Sequence, residues 1–144
     1  QFQGVLRRHT FLPEDLEAAL DGRAVEKFHI YRIPEERRAA VTERVLACGP
    51  MTTASAFPGN LELTAPGVNK GAAVQGLCAR RGWSAKQVMA FGDAGNDLEL
   101  LSWAGWSFAM ANATDQAKAA ARYVTGSNTE AGVAMAVERY FLDT

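Results

Sequence analysis

The segment Gly92-Asp93-Ala94-Gly95-Asn96-Asp97 carries two carboxylates four residues apart with an asparagine between them. Oxygens of this kind suit a hard cation, and the glycines let the backbone turn tightly. Just upstream, Val88-Met89-Ala90-Phe91 is continuously apolar, as a strand buried on both faces of a parallel sheet would be. Ligands of open α/β sheets bind beyond the carboxyl ends of such strands, so the loop stands where a site is expected. A plain strand-to-helix turn with Asp97 as N-cap accounts for the same residues. Lys70, in Gly67-Val68-Asn69-Lys70-Gly71, can place a point charge on a phosphate; taken alone, a lysine is more often an ordinary solvated side chain. Asn112, in Ala111-Asn112-Ala113, follows a second apolar run ending at Met110, where asparagine serves as ligand or as turn former. His9 and His29 lie apart from each other and from the acidic cluster, and read as structural or surface residues.

The elements that must hold these residues change character along the chain. Residues 13–21 read as a short helix with Pro13 in its first turn and Gly22 at its end. Val25 to Ile33 reads as a strand stopped by Pro34, and Glu35-Glu36 opens a helix carrying Val41, Val45 and Cys48. Met51 to Ala56 and Asn60 to Thr64 flank the turn Phe57-Pro58-Gly59 as an antiparallel hairpin. From residue 67 strands and helices alternate. A helix carrying Val74, Leu77, Cys78 and Arg81 closes at Gly82, and Ser84 and Gln87 have capping-box spacing. Then come the strand Val88–Phe91, a helix over 97–104, the strand Trp106–Met110, a helix over 115–121 and a strand over 123–125. The last helix is read with Val133, Val137, Tyr140 and Phe141 on one face. This predicts a parallel α/β layer behind an α+β segment, divided near Ala65 to Gly67 into residues 1–66 and 67–144.

The chain has 144 residues, 48% apolar and 22% charged, the balance of a globular domain. Fifteen basic residues against sixteen acidic ones leave a net charge of -1, with no basic surplus for a nucleic acid. No apolar run is long enough to span a bilayer. Cys48 and Cys78 lack metal-ligand spacing and read as buried free thiols of a reducing, cytoplasmic compartment. The sequence opens Gln-Phe-Gln-Gly without methionine, which reads as the downstream piece of something longer.

Taken in order, Asn69-Lys70-Gly71, Gly92-Asp93 with Asn96-Asp97, Ala109 to Ala113, and Glu130-Ala131-Gly132-Val133 resemble the motifs of the haloacid dehalogenase superfamily. The resemblance is narrower still to its Cof-type (class IIB) sugar-phosphatase branch. The family usually has glycine where this chain has Ala111. The resemblance implies an α/β fold: residues 1–66 as part of an α+β cap, and 67–144 as the C-terminal part of a Rossmann-like core.

The same resemblance implies a phosphatase acting on small phosphorylated metabolites through an aspartyl-phosphate, with Mg²⁺ as cofactor. Lys70 matches the lysine that steadies nucleophile and phosphoryl group, and Asp93 the acidic metal ligand. Asp97 matches the second acidic residue, near the metal or the lysine. Asn96 and Asn112 match positions near the substrate. The family's nucleophile sits in an Asp-x-Asp motif, and this chain contains none; Asp143, followed by Thr144, is rejected because it continues the last helix. The expectation is therefore a fragment without its nucleophile, with its open sheet edge covered by the missing N-terminal half or by self-association. The alternative is a half-length protein that binds metal, phosphate or a partner without turnover.

Overall fold

The computed structural model describes residues 13–142; His9, Asp143 and Thr144 lie outside them. A first helix, α1 (Leu16–Leu20), starts at Asp15, whose carboxylate accepts from the Ala18 N–H at 3.1 Å. It is shorter than the predicted 13–21, because the Asp15 cap fixes the first turn after Pro13. Strand β1 covers only Lys27–Ile30. Its partner β3 (Leu61–Thr64) is four residues long, so pairing runs from Lys27 opposite Thr64 to Ile30 opposite Leu61 and stops. Arg32, at φ 59, then turns the chain out of the strand.

Helix α2 (Glu35–Leu46) opens behind Pro34 with Glu35 and Glu36 at the positive end of its dipole. Val41 and Val45 pack on Ile33, Leu61 and Leu63. Cys48 falls beyond the last turn and is exposed, which corrects the expectation of a buried thiol; Cys78 is buried, and both are free. Strand β2 (Thr52–Ala54) completes the predicted antiparallel hairpin, giving a sheet of order β1-β3-β2.

Helix α3 (Lys70–Arg81) begins at Asn69, whose side chain accepts from the Ala72 N–H, and ends at Gly82 in the left-handed conformation. The Gln87 amide oxygen takes the Ser84 N–H at 2.9 Å, the reciprocal half of the predicted capping box. Strands β4 (Met89–Gly92), β5 (Trp106–Ala109) and β6 (Tyr123–Val124) form a parallel sheet in that order. Phe91, Phe108 and Tyr123 are register neighbours across it, and their rings stack at 5.3 and 5.1 Å.

Between these strands run α4 (Leu98–Trp103) and α5 (Asp115–Ala120), which pack Leu101 and Ala117 with Ala109, Met110 and Ala113. A final helix, α6 (Gly132–Val137), passes into a wider turn over Glu138–Leu142. It buries Gly132 and Ala136 and leaves Val133 exposed, contrary to the predicted apolar face. Close approach of backbones at its start favours small residues over the larger valine. No described helix is long and apolar enough to cross a membrane.

Candidate active site

Two features bring the start of α3 to the loop after β4. At Gly71, a Cβ would stand 2.8 Å from backbone and side-chain carbons of Glu99, so only glycine lets α3 approach α4 this closely. At Gly92, a Cβ would stand 2.5 Å from the Asp97 Cβ, so the strand end leaves room only for the Asp97 side chain folded over it. Lys70 and Asp97, 27 residues apart in sequence, meet as a consequence.

Asp97 closes a short turn over Gly95–Asp97 and is 4% exposed. Its Oδ1 accepts from the Lys70 Nζ at 2.5 Å. Its Oδ2 reaches back to the Asp93 N–H at 3.0 Å and the Ala94 N–H at 3.3 Å. The side chain therefore does not cap the helix that follows it; it ties lysine and loop together. A buried carboxylate is stable only when paired and hydrogen-bonded, and here both oxygens are satisfied. Lys70 keeps a half-exposed ammonium held at one point, with two donors left over.

Asp93 is exposed, and among the described residues its carboxylate has no hydrogen-bond partner. Its carbonyl accepts from the Thr114 N–H at 2.9 Å, which joins this loop to the one after β5. In that second loop the Asn112 Oδ1 accepts from the Asn128 N–H at 3.0 Å. Ala111 does not have a positive φ, so alanine stands there without backbone strain. His29 lies exposed in the antiparallel sheet, its Nδ1 3.2 Å from the Tyr31 hydroxyl.

Two cavities flank Gly95. One, of about 260 Å³, lies between the antiparallel sheet and α3 and includes Lys70 and Asn96 in its wall. The other, of about 430 Å³, is walled by Asp93 and Asn112 on one side and by Arg38 and Ser55 on the other. Sequence reasoning missed the contribution of the first 66 residues to both. Glu62, 8% exposed, pairs with Lys27 at 2.9 Å in the wall of the smaller cavity. The strand periodicity could have flagged Glu62 as a carboxylate within an apolar strand. Nothing local marks Arg38.

A divalent cation of the Mg²⁺ type takes one or two carboxylates and keeps several waters. Among the described residues no three His, Cys, Asp or Glu side chains converge on a possible metal position. The donor set fits as a partial one. Asp93 offers an unpaired carboxylate, while Asp97 is already engaged by Lys70 and two N–H groups.

Comparison with known proteins identifies the family and the fold. The chain is 35% identical over 108 residues to the 5-amino-6-(5-phospho-D-ribitylamino)uracil phosphatase YcsE of Bacillus subtilis, covering 75% of this chain and 43% of that protein. A HAD/COF-like hydrolase structure from Plasmodium vivax superposes with a TM-score of 0.78 at 30% identity, over 90% of this chain and 46% of the other. The subclass IIB sugar phosphatase BT4131 shares the fold with a TM-score of 0.78 at 24% identity, over 96% of this chain and 54% of its own. The chain thus spans about half the length of the relatives it matches. The family model for haloacid dehalogenase-like hydrolases matches residues 9–137, and the chain, with its parallel α/β sheet and paired lysine and aspartate, belongs to that family.

Proposed function

We propose that this chain forms the C-terminal part of a Mg²⁺-dependent phosphatase of small phosphorylated metabolites, working in the cytoplasm. The observation that carries the reading is the buried Asp97 bridging Lys70 and the Asp93 N–H at the carboxyl end of a parallel strand. In this reading residues 1–66 are part of a cap and 67–144 part of the core. The aspartate nucleophile comes from a segment outside this sequence, which has no Asp-x-Asp, and that segment or a second copy covers the open edge of β4.

Lys70 draws the equatorial phosphoryl oxygens by charge, and Asp97 fixes where that charge stands. Asp93 would hold the metal together with carboxylates of the absent segment. When bound, the ion supplies neutralisation of the charge that builds on the phosphoryl group. Asn96 and Asn112 donate amide hydrogens toward the substrate.

The test uses the complete enzyme, this chain together with the segment bearing the nucleophile, on an aryl phosphate with excess Mg²⁺. Asp93→Asn and Lys70→Ala should each lower kcat by about 100-fold or more. The 144-residue chain alone should show no turnover. Sustained turnover by that chain alone would overturn the external nucleophile. Phosphate binding by the complete enzyme without any turnover would leave the non-catalytic alternative standing.

A further inference from the structure

We propose that Arg38 reads an oxyanion on the leaving group of the substrate, so that the preferred esters are phosphorylated hydroxy acids or molecules with a second phosphate; this rests on the phosphatase reading above. Arg38 stands in the first turns of α2, is half-buried, and donates from Nη1 to the Asn60 carbonyl at 2.9 Å. Guanidinium carries five donors in a planar fork, and no carboxylate among the described residues lies within ion-pair distance of it. Arg38 lines the cavity of about 430 Å³ together with Asp93 and Asn112, a volume ordinary for a small-molecule site.

The anchor of this guanidinium is rigid. Asn60 is fully buried; its Oδ1 takes the Ala56 N–H at 2.8 Å, and its carbonyl also accepts from the Ser55 hydroxyl at 3.1 Å. The same turn packs on the reaction loop, with the Ser55 carbonyl 3.3 Å from where a Gly95 Cβ would be. A fork held in advance at one nitrogen loses little freedom on gripping a carboxylate or phosphate. Glu35, one turn earlier on α2 and unpaired with Arg38, lines the same wall and suits a hydroxyl donor beside the oxyanion.

Phosphoglycolate, a sugar bisphosphate and glycerol 2-phosphate distinguish a carboxylate, a second phosphate and a neutral polyol when assayed on the complete enzyme. Arg38→Gln removes the charge and the fork while keeping a polar amide donor on the side chain. It should lower kcat/KM for one or both oxyanion-bearing esters at least about tenfold, mainly through KM, and move glycerol 2-phosphate less than about twofold. Arg38→Lys, which keeps the charge and loses the fork, should recover part of the loss. Should the glutamine variant melt below the assay temperature, the lysine variant against the parent carries the comparison. Equal losses on all three esters, or no loss on any, would overturn the assignment while leaving the phosphatase reading intact. A parent enzyme that turns over none of the three, nor an aryl phosphate, would remove that reading and this one together.

Discussion

Among the described residues there are two sheets of three strands each, yet they are built on different terms. Around the antiparallel sheet, α2 buries none of its residues, and the core is Ile33, Leu61 and Leu63 with half-buried valines against it. Around the parallel sheet, α3, α4, α5 and α6 each bury at least one residue, mostly glycine, alanine or cysteine. Small buried residues let backbones come close, and close backbones fix loops. The parallel half thus holds Lys70, Asp93 and Asp97 in one arrangement. The antiparallel half instead turns polar side chains such as Arg38 and Glu62 toward the shared cavities.

The largest effect expected from this contrast is in the cores. Phe108→Ala removes a fully buried ring stacked between two others and should cost about 3–5 kcal/mol in chemical denaturation. Leu61→Ala, in the thinner antiparallel core, should cost about 2–3 kcal/mol. If the leucine variant proves the more damaging, the two halves have been ranked in the wrong order.

Glycine substitutions give a smaller and sharper contrast. Gly92→Ala forces a methyl group onto Asp97 and should lower stability by about 2 kcal/mol while loosening the Lys70–Asp97 pair. Gly59→Ala, at φ +74 with the Ile33 carbonyl 3.3 Å from its Cβ, should cost about 1 kcal/mol and leave that pair intact. Thermal melts rank the two, and the Lys70 ammonium resonances in NMR report the pair. An undisturbed pair in the Gly92 variant would deny that close packing positions the site.

The smallest effect concerns Glu130, whose carboxyl is held below the usual carboxylate range by hydrogen bonds from the Ser127 hydroxyl and N–H. A lowered value means the native chain favours the ionised form. The contribution is complete above the unfolded carboxyl pKa and fades as pH falls through the native one. A pH titration of this carboxyl by NMR should show the depression, and Ser127→Ala should raise it toward the ordinary value. An unchanged titration in that variant would show that the serine does not set it.

Much of the fold was legible because its signals are local. The apolar run Val88–Phe91 announces a strand, although Met89 and Phe91 are only half-buried in it, and Ser84 with Gln87 announces a cap, since each depends on neighbours a few residues away. The ends of elements were less legible: β1 stops at Ile30 because β3 is short, which no property of Tyr31 or Arg32 foretells. Cys48 illustrates the same limit, as helical spacing says which face a residue takes but not where the helix ends.

The sequence by itself determined the order of elements, the loop Gly92–Asp97 at a strand end, and the candidacy of Lys70, Asp93, Asn96, Asp97 and Asn112. The elements and the loop follow from periodicity, turn chemistry and the clustering of oxygen ligands, all short-range properties of the chain; the candidacy of Lys70, Asn96 and Asn112 came from the resemblance of the ordered motifs to the haloacid dehalogenase family. Only the tertiary structure decided that Asp97 spends one oxygen on Lys70 and the other on two backbone N–H groups. It alone brought Arg38 across from α2 to face Asp93. The Lys70–Asp97 pair and the approach of Arg38 to Asp93 join residues 27 or more positions apart, and such distances are closed by packing, in which a missing Cβ at Gly71 or Gly92 counts as much as any charge.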